Sequence, residues 1–403
     1  MKYIIVLPDG VADVPLKELG NKTPLQVARH PHMDRIAREG IAGWCHTIPQ
    51  GFKPGSDVGC MSVFGYDPRR YYTGRAPLEA AAQGIALGEG DVAFRCNTVT
   101  VKDGVMADYS AGHIESQDSI ELIKAANEHL AGDGLRFYPG VSYRHLAVIP
   151  EASFAKTQCT PPHDISGKPI ESYLPQGPGA ELLRRTMERS TQLLKDHPVN
   201  RRRVETGKLP ATMLWFWGQG TVAKFPPFQQ QYRKRGACIS AVDIVRGLGR
   251  LVGFDIIQVP GITGYFDTNY KGKAEYALKA LDEYDVVLIH IEPTDEASHM
   301  GDARKKIQAI EDTDRLVVGT LLEELSRRRQ ERRDPFSIMI VPDHPTSTEL
   351  KTHIAEPVPF AIYPGGASQR DARQAVGGYD ELSVKSASRR FEHGFELMSF
   401  FLS

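Results

Sequence analysis

The chain has little cysteine. Five residues (Cys45, Cys60, Cys96, Cys159 and Cys238) are scattered through 403, odd in number and without a CxxC pair. This argues against a disulfide framework or a cysteine-built zinc site, and the expected location is a reducing cytoplasm. There is no excess of either charge: 49 Lys and Arg stand against 50 Asp and Glu, a net charge of -1. With no basic field to hold nucleic acid or an anionic membrane, neither is expected as a partner, and an anionic substrate must be met by a local cluster. Long apolar runs are also missing. The opening MKYIIVLPDG carries only Tyr3 to Leu7 before Pro8 and Asp9, too short for a signal segment or a membrane span. Internal repeats, low-complexity tracts and a GxxxxGK[ST] phosphate loop are absent as well.

What remains is a long globular chain, for which two or three domains are the prior at about 150 residues each. The apolar run Tyr3 to Leu7 reads as a buried strand, followed by a helix over Thr23 to Glu39. Short β-like runs surround one helical pattern at Ser116 to Leu130, and Pro161-Pro162 and Pro175 to Gly179 break the chain after them. Beyond Asn200 to Arg203 the order is strand 212–217, helix 240–252, strand 255–259, helix 273–281, strand 286–291, helix 304–325 and strand 338–341. Alternation of this kind predicts a parallel α/β sheet. The expected organisation is one domain from residues 1–75 and 205–403, with an α+β insert at 76–204. Trp215 and Trp217 alternate as in a half-buried strand and are assigned to core, while Arg201 to Arg203 and Arg327 to Arg333 are read as solvated faces or helix ends.

The sheet domain carries hydroxyl, carboxylate and imidazole groups just beyond strand-like runs: Asp9, Ser56, Asp295, His299, Asp343, His344 and His353. Asp295 and His299 are four apart, on one face of a helical turn. Each group has a bland alternative. Asp9-Gly10 makes a turn, Ser56 caps a helix, Asp343 precedes a proline-containing turn, and an isolated DxxxH is usually a surface pair. Four such coincidences, each at a strand end, are less probable than one site. Oxygen and imidazole donors without thiolate suit Mn²⁺, Mg²⁺ or Zn²⁺, and a carboxylate-rich set favours Mn²⁺ or Mg²⁺. Two such ions about 4 Å apart would clamp a phosphoryl group in line.

The segments PDG, PGSDVGCMSVFGYDP, YYTGRAPLEAAAQGI, AFRCNTVTV, DYSAGHI, FYPGVSYRHL, GACISAVDIVRGLG and GITGYFDTNYKGKA, with both histidine motifs, run in order across nearly the whole chain. Together they resemble the archaeal-type cofactor-independent phosphoglycerate mutases of the alkaline phosphatase superfamily. The resemblance implies an alkaline-phosphatase-like sheet domain with an inserted substrate-binding domain. It also implies interconversion of 3-phosphoglycerate and 2-phosphoglycerate without diphosphoglycerate, through a phosphoserine on Ser56. Asp9, Ser56, Asp343 and His344 would hold one metal and Asp295, His299 and His353 the other, with Mn²⁺ the expected ion.

The insert is expected to hold the glycerate through Arg95, Asn97, Asp108, His113, Arg144 and His145, since the planar fork of arginine suits carboxylates and phosphates. Strand-edge ion pairing is the ordinary alternative for the two arginines. Lys273 resembles the family's phosphate-contacting lysine and is preferred over Lys271. The stretches TPPHDISGKPIESYLP, KDHPVNRRR and LWFWGQG are similar to a bacterial branch of the family associated with a homoserine kinase role, which stays open as an alternative. A phosphomonoester phosphatase using the same serine is a further one.

Overall fold

The computed structural model describes residues 1–132, 134–332, 334–363 and 376–403. The chain forms two compact units, Met1–Tyr72 with Lys224–Ser403, and Thr73–Ala223. In chain order, the first segment supplies β1 (Lys2–Pro8) and β2 (Ile41–Cys45). The middle segment supplies β3 (Val92–Lys102), β4 (Val105–Asp108), β5 (Arg136–Tyr138), β6 (Arg144–Ile149) and β7 (Met213–Thr221). The last segment supplies β8 (Gly236–Ile239), β9 (Asp255–Ile256), β10 (Val286–Ile291), β11 (Phe336–Ile340), β12 (Thr346–Ser347), β13 (Thr352–His353), β14 (Val358–Tyr363) and β15 (Arg390–Phe391).

In the larger unit, eight strands of the described residues line up as β15-β2-β14-β11-β1-β10-β8-β9. β1 pairs in parallel with β10 and β11, and β14 runs antiparallel to both β11 and β2. The central strands read YIIVL, VVLIHI and FSIMI and are buried along their length, the pattern of strands covered on both faces. Ile4, Val6, Ile289 and Ile338 meet Ile36, Ala277, Ile310 and Leu321 in one core. That packing fixes the ends of β11, β1 and β10 side by side.

Two expected helices are interrupted. The run over Thr23 to Glu39 splits into Pro24–Val27 and Pro31–Glu39, because a proline excludes the preceding His30 from helical backbone geometry. The run over Arg304 to Leu325 passes through a π-helical stretch, Thr313–Val318. There the buried Asp314 carboxylate leaves the helix surface to accept the amides of His32 and Met33.

The smaller unit is an antiparallel sheet in the order β4-β3-β6-β5, with β7 also on β3. The strand expected at 212–217 therefore does not enter the large sheet. β7 pairs with β3 from Thr221↔Val92 to Met213↔Val99, and its Leu214, Trp215 and Phe216 fill the smaller unit's core. Arg203 also departs from expectation. It is buried, with its guanidinium bonded to Glu115, Asp118 and the carbonyls of Ala111 and Leu209.

Candidate metal centre

Three neighbouring parallel strands release acidic residues at the same sheet edge: Asp9 follows β1, Glu292 and Asp295 follow β10, and Asp343 follows β11. The crevice beyond the carboxyl ends of parallel strands is where α/β sheets bind ligands. Asp9 is wholly buried; its Oδ2 lies 2.8 Å from His290 Nε2 and accepts the Ser56 hydroxyl at 3.4 Å. Its Oδ1 has no hydrogen-bond partner among the described residues.

Ser56 opens the helix Ser56–Val63, and its Oγ also lies 3.2 Å from His344 Nε2. Gly59 lets this helix approach, since a Cβ there would meet the Asp343 carbonyl oxygen at 2.2 Å. One turn along, the Cys60 thiol donates to Asp343 Oδ2 at 3.5 Å. The second group forms on the helix Pro293–Met300, where Asp295 Oδ2 sits 3.1 Å from His299 Nε2 and Oδ1 sits 3.6 Å from His353 Nε2.

All seven expected ligands thus gather in one neighbourhood. Donor atoms of Asp295, His299 and His353 lie within 4.8 Å of one another, as do those of Asp9, Asp295 and His344, and those of Asp9, His290 and Glu292. Burial, then Asp343, Glu292 and Asp295, drives the Asp9 carboxyl well above its usual range. Burial and Asp295 lift Glu292 to about 8. Burial acts on Asp295 in the same sense, but His299 and His353 outweigh it and hold that carboxyl well below its ordinary value. Pairing with Asp295 raises His299 to about 9. An orphaned carboxylate oxygen, crowded buried acids and imidazoles aimed at the same space are what divalent cations neutralise, and the donor set fits them.

His290 and Glu292 were not anticipated. The signal was there: a histidine inside the apolar run VVLIHI has to find a polar partner, and this one meets Asp9, with Ser240 Oγ 3.2 Å from its Nδ1. Lys273 lies behind this group rather than in the open. It is wholly buried, its ammonium donates to the His290 carbonyl at 2.9 Å, and burial lowers its pKa to about 8. Lys271 is exposed and 3.7 Å from Glu275.

In the smaller unit most of the expected substrate groups are committed internally. Arg95 pairs with Glu79 at 3.0 Å and lies 4.1 Å over the Trp217 ring. Asn97 donates to the Tyr109 carbonyl and accepts the Trp217 indole N–H. Asp108 caps its own loop by accepting Ser110 and Gly112 amides. His145 is buried and accepts the Gly140 amide, and burial holds its pKa near about 3. Arg144 and His113 keep exposed side chains, and Tyr143 lies beside both.

A family profile described as 2,3-bisphosphoglycerate-independent phosphoglycerate mutase matches residues 37–200. The 2,3-bisphosphoglycerate-independent phosphoglycerate mutase of Methanosarcina acetivorans is 50% identical over 388 residues, 96% of this chain and 96% of that protein. The chain belongs to this family.

One solved structure of a cofactor-independent phosphoglycerate mutase agrees with that membership, and a second solved structure shares the fold. The cofactor-independent phosphoglycerate mutase from Thermoplasma acidophilum shares 31% identity with a TM-score of 0.67, covering 100% of this chain and 99% of that one. The PH0037 protein from Pyrococcus horikoshii shares 29% with a TM-score of 0.84, covering 100% and 96%. As a phosphoglycerate mutase the chain is an isomerase of glycolysis that needs no bisphosphoglycerate. No helix among the described residues is long and apolar enough to cross a membrane.

Proposed function

We propose that the chain interconverts 3-phosphoglycerate and 2-phosphoglycerate through a phosphoserine on Ser56. The observation that carries this reading is the place of Ser56. Its hydroxyl stands at a helix N-terminus, 3.4 Å from Asp9 Oδ2 and 3.2 Å from His344 Nε2, inside the carboxylate and imidazole cluster. Asp9, Ser56, Asp343 and His344 would hold one divalent ion and Asp295, His299 and His353 a second, with Mn²⁺ preferred and Mg²⁺ or Zn²⁺ within the donors' range. Such ions, when bound, favour the alkoxide of a serine and offset charge on phosphoryl oxygens.

Ser56 Oγ forms the new bond to phosphorus as the bond to the substrate's 3-oxygen breaks. The glycerate turns, and its 2-hydroxyl takes the phosphoryl group back from Ser56. The amides at the start of Ser56–Val63 point their positive end at the transferring anion. Of the groups expected to hold the glycerate, Arg144 and His113 are the two whose side chains are exposed, and a guanidinium suits a carboxylate.

The test is turnover of 3-phosphoglycerate with Mn²⁺ and no bisphosphoglycerate. Formation of 2-phosphoglycerate that stops with a chelator is expected. Release of inorganic phosphate alone would make the chain a phosphatase. Phosphorylation of homoserine by ATP, with 3-phosphoglycerate untouched, would move the substrate to the alternative.

A further inference from the structure

Thr346 lies outside the seven expected ligands, yet it touches both groups of them. Its hydroxyl is 2.5 Å from Asp295 Oδ1 and 3.2 Å from His344 Nδ1. In the β12–β13 ladder it is the residue opposite His353. The main chain is held as tightly: the Thr346 amide donates to the Ala12 carbonyl at 3.0 Å, and the wholly buried Lys306 ammonium donates to the Thr346 carbonyl at 2.8 Å. Thr346 is itself wholly buried, so water does not replace these partners.

A hydroxyl has one proton to give. The short contact to an acceptor-only carboxylate assigns that proton to Asp295. Thr346 Oγ1 is then an acceptor toward His344, which requires the imidazole to carry its proton on Nδ1. His344 Nε2 is left with its lone pair toward Ser56 Oγ at 3.2 Å, Asp343 Oδ2 at 3.2 Å and Asp9 Oδ1 at 3.6 Å. That is the tautomer a metal ligand needs.

We propose that Thr346 is a positioning residue that couples the two metal-ligand groups, orienting the Asp295 carboxylate in one and fixing the His344 tautomer in the other. The inference rests on the metal-site assignment above. It predicts that loss of this single hydroxyl weakens both sites together, although Thr346 binds neither ion.

Three proteins separate the hydroxyl from the packing: wild type, Thr346→Val, which keeps the shape, and Thr346→Ser, which keeps the oxygen. Mn²⁺ binding is measured by calorimetry on the metal-free proteins. Long-range proton–nitrogen spectra of histidine-labelled protein report the His344 tautomer. The expected result is two sites in wild type and in Thr346→Ser, about 10- to 100-fold weaker binding at both sites in Thr346→Val, and the loss of an exclusive Nδ1–H form in that variant alone. Unchanged binding in Thr346→Val, or weakening at one site only, would overturn the coupling. A wild-type protein that binds no Mn²⁺ would instead overturn the metal-site reading, which keeps the two failures distinct. Unchanged far-ultraviolet circular dichroism of the variants excludes misfolding as the cause, and a Thr346→Ser protein as weak as Thr346→Val would also contradict the role of the hydroxyl.

Discussion

The Nε2 atoms of His299 and His353 face each other 3.0 Å apart, both directed at Asp295. Without an ion, one Nε2–H can donate to the other's lone pair, and a divalent cation would displace that proton and take up both lone pairs. Chelation of the as-purified protein is therefore expected to lower its thermal stability. At a metal concentration 100 times Kd the loss is about 2.7 kcal/mol per site. Calorimetry with and without chelator checks this, and an unchanged melting temperature would contradict it.

Gly10→Ala tests how closely the two ligand groups are packed. Gly10 has φ +58°, and an added Cβ would lie 2.4 Å from both Asp295 Oδ1 and Thr346 Oγ1. Left-handed backbone strain adds about 1 kcal/mol. Mn²⁺ affinity and turnover should fall by at least about tenfold, with the smaller unit unaffected. Titration of Mn²⁺ into the variant measures it.

Much of this was legible in the sequence. The strands Tyr3–Leu7, Val286–Ile291 and Ile338–Val341 announce themselves by continuous apolar character, and the acids that follow them mark the site. Long-range pairing was not legible. Nothing local says that Met213–Thr221 joins Val92–Lys102 rather than the large sheet, because an apolar alternating strand suits either. Arg203 reads as one of three surface arginines until tertiary structure brings Glu115 and Asp118 to it. Thr346 was invisible for the same reason: its partners Asp295 and His344 are identified only once the strand ends are adjacent.

Arg203 gives a stability prediction. Arg203→Ala leaves the carbonyls of Ala111 and Leu209 without their donor and removes a buried charge from Glu115 and Asp118. A loss of about 3 kcal/mol is expected, seen as a lower urea midpoint for the smaller unit. A change under 1 kcal/mol on the order set for exposed ion pairs would contradict the structural role.

His145 gives the pH dependence. Burial lowers its pKa from 6.5 to about 3, so between these values the unfolded chain binds a proton that the folded one refuses. Its contribution to stability is complete above the unfolded value and declines as pH falls from 6.5 toward about 3. His145→Gln should remove one proton from the acid slope, about 1.4 kcal/mol per pH unit. Urea unfolding at a series of pH values between those limits decides it, and an identical slope in the variant would contradict the burial argument.

The central claim is that Ser56 carries the phosphoryl group between the two hydroxyls of glycerate. The most direct measurement is acid quenching of the Mn²⁺-loaded protein during turnover of 3-phosphoglycerate, followed by peptide mass spectrometry. Phosphate on Ser56 is expected, and in Ser56→Ala neither that label nor mutase activity above about one part in a thousand. Sustained 2-phosphoglycerate formation by Ser56→Ala, or a phosphate found on another side chain, would contradict it.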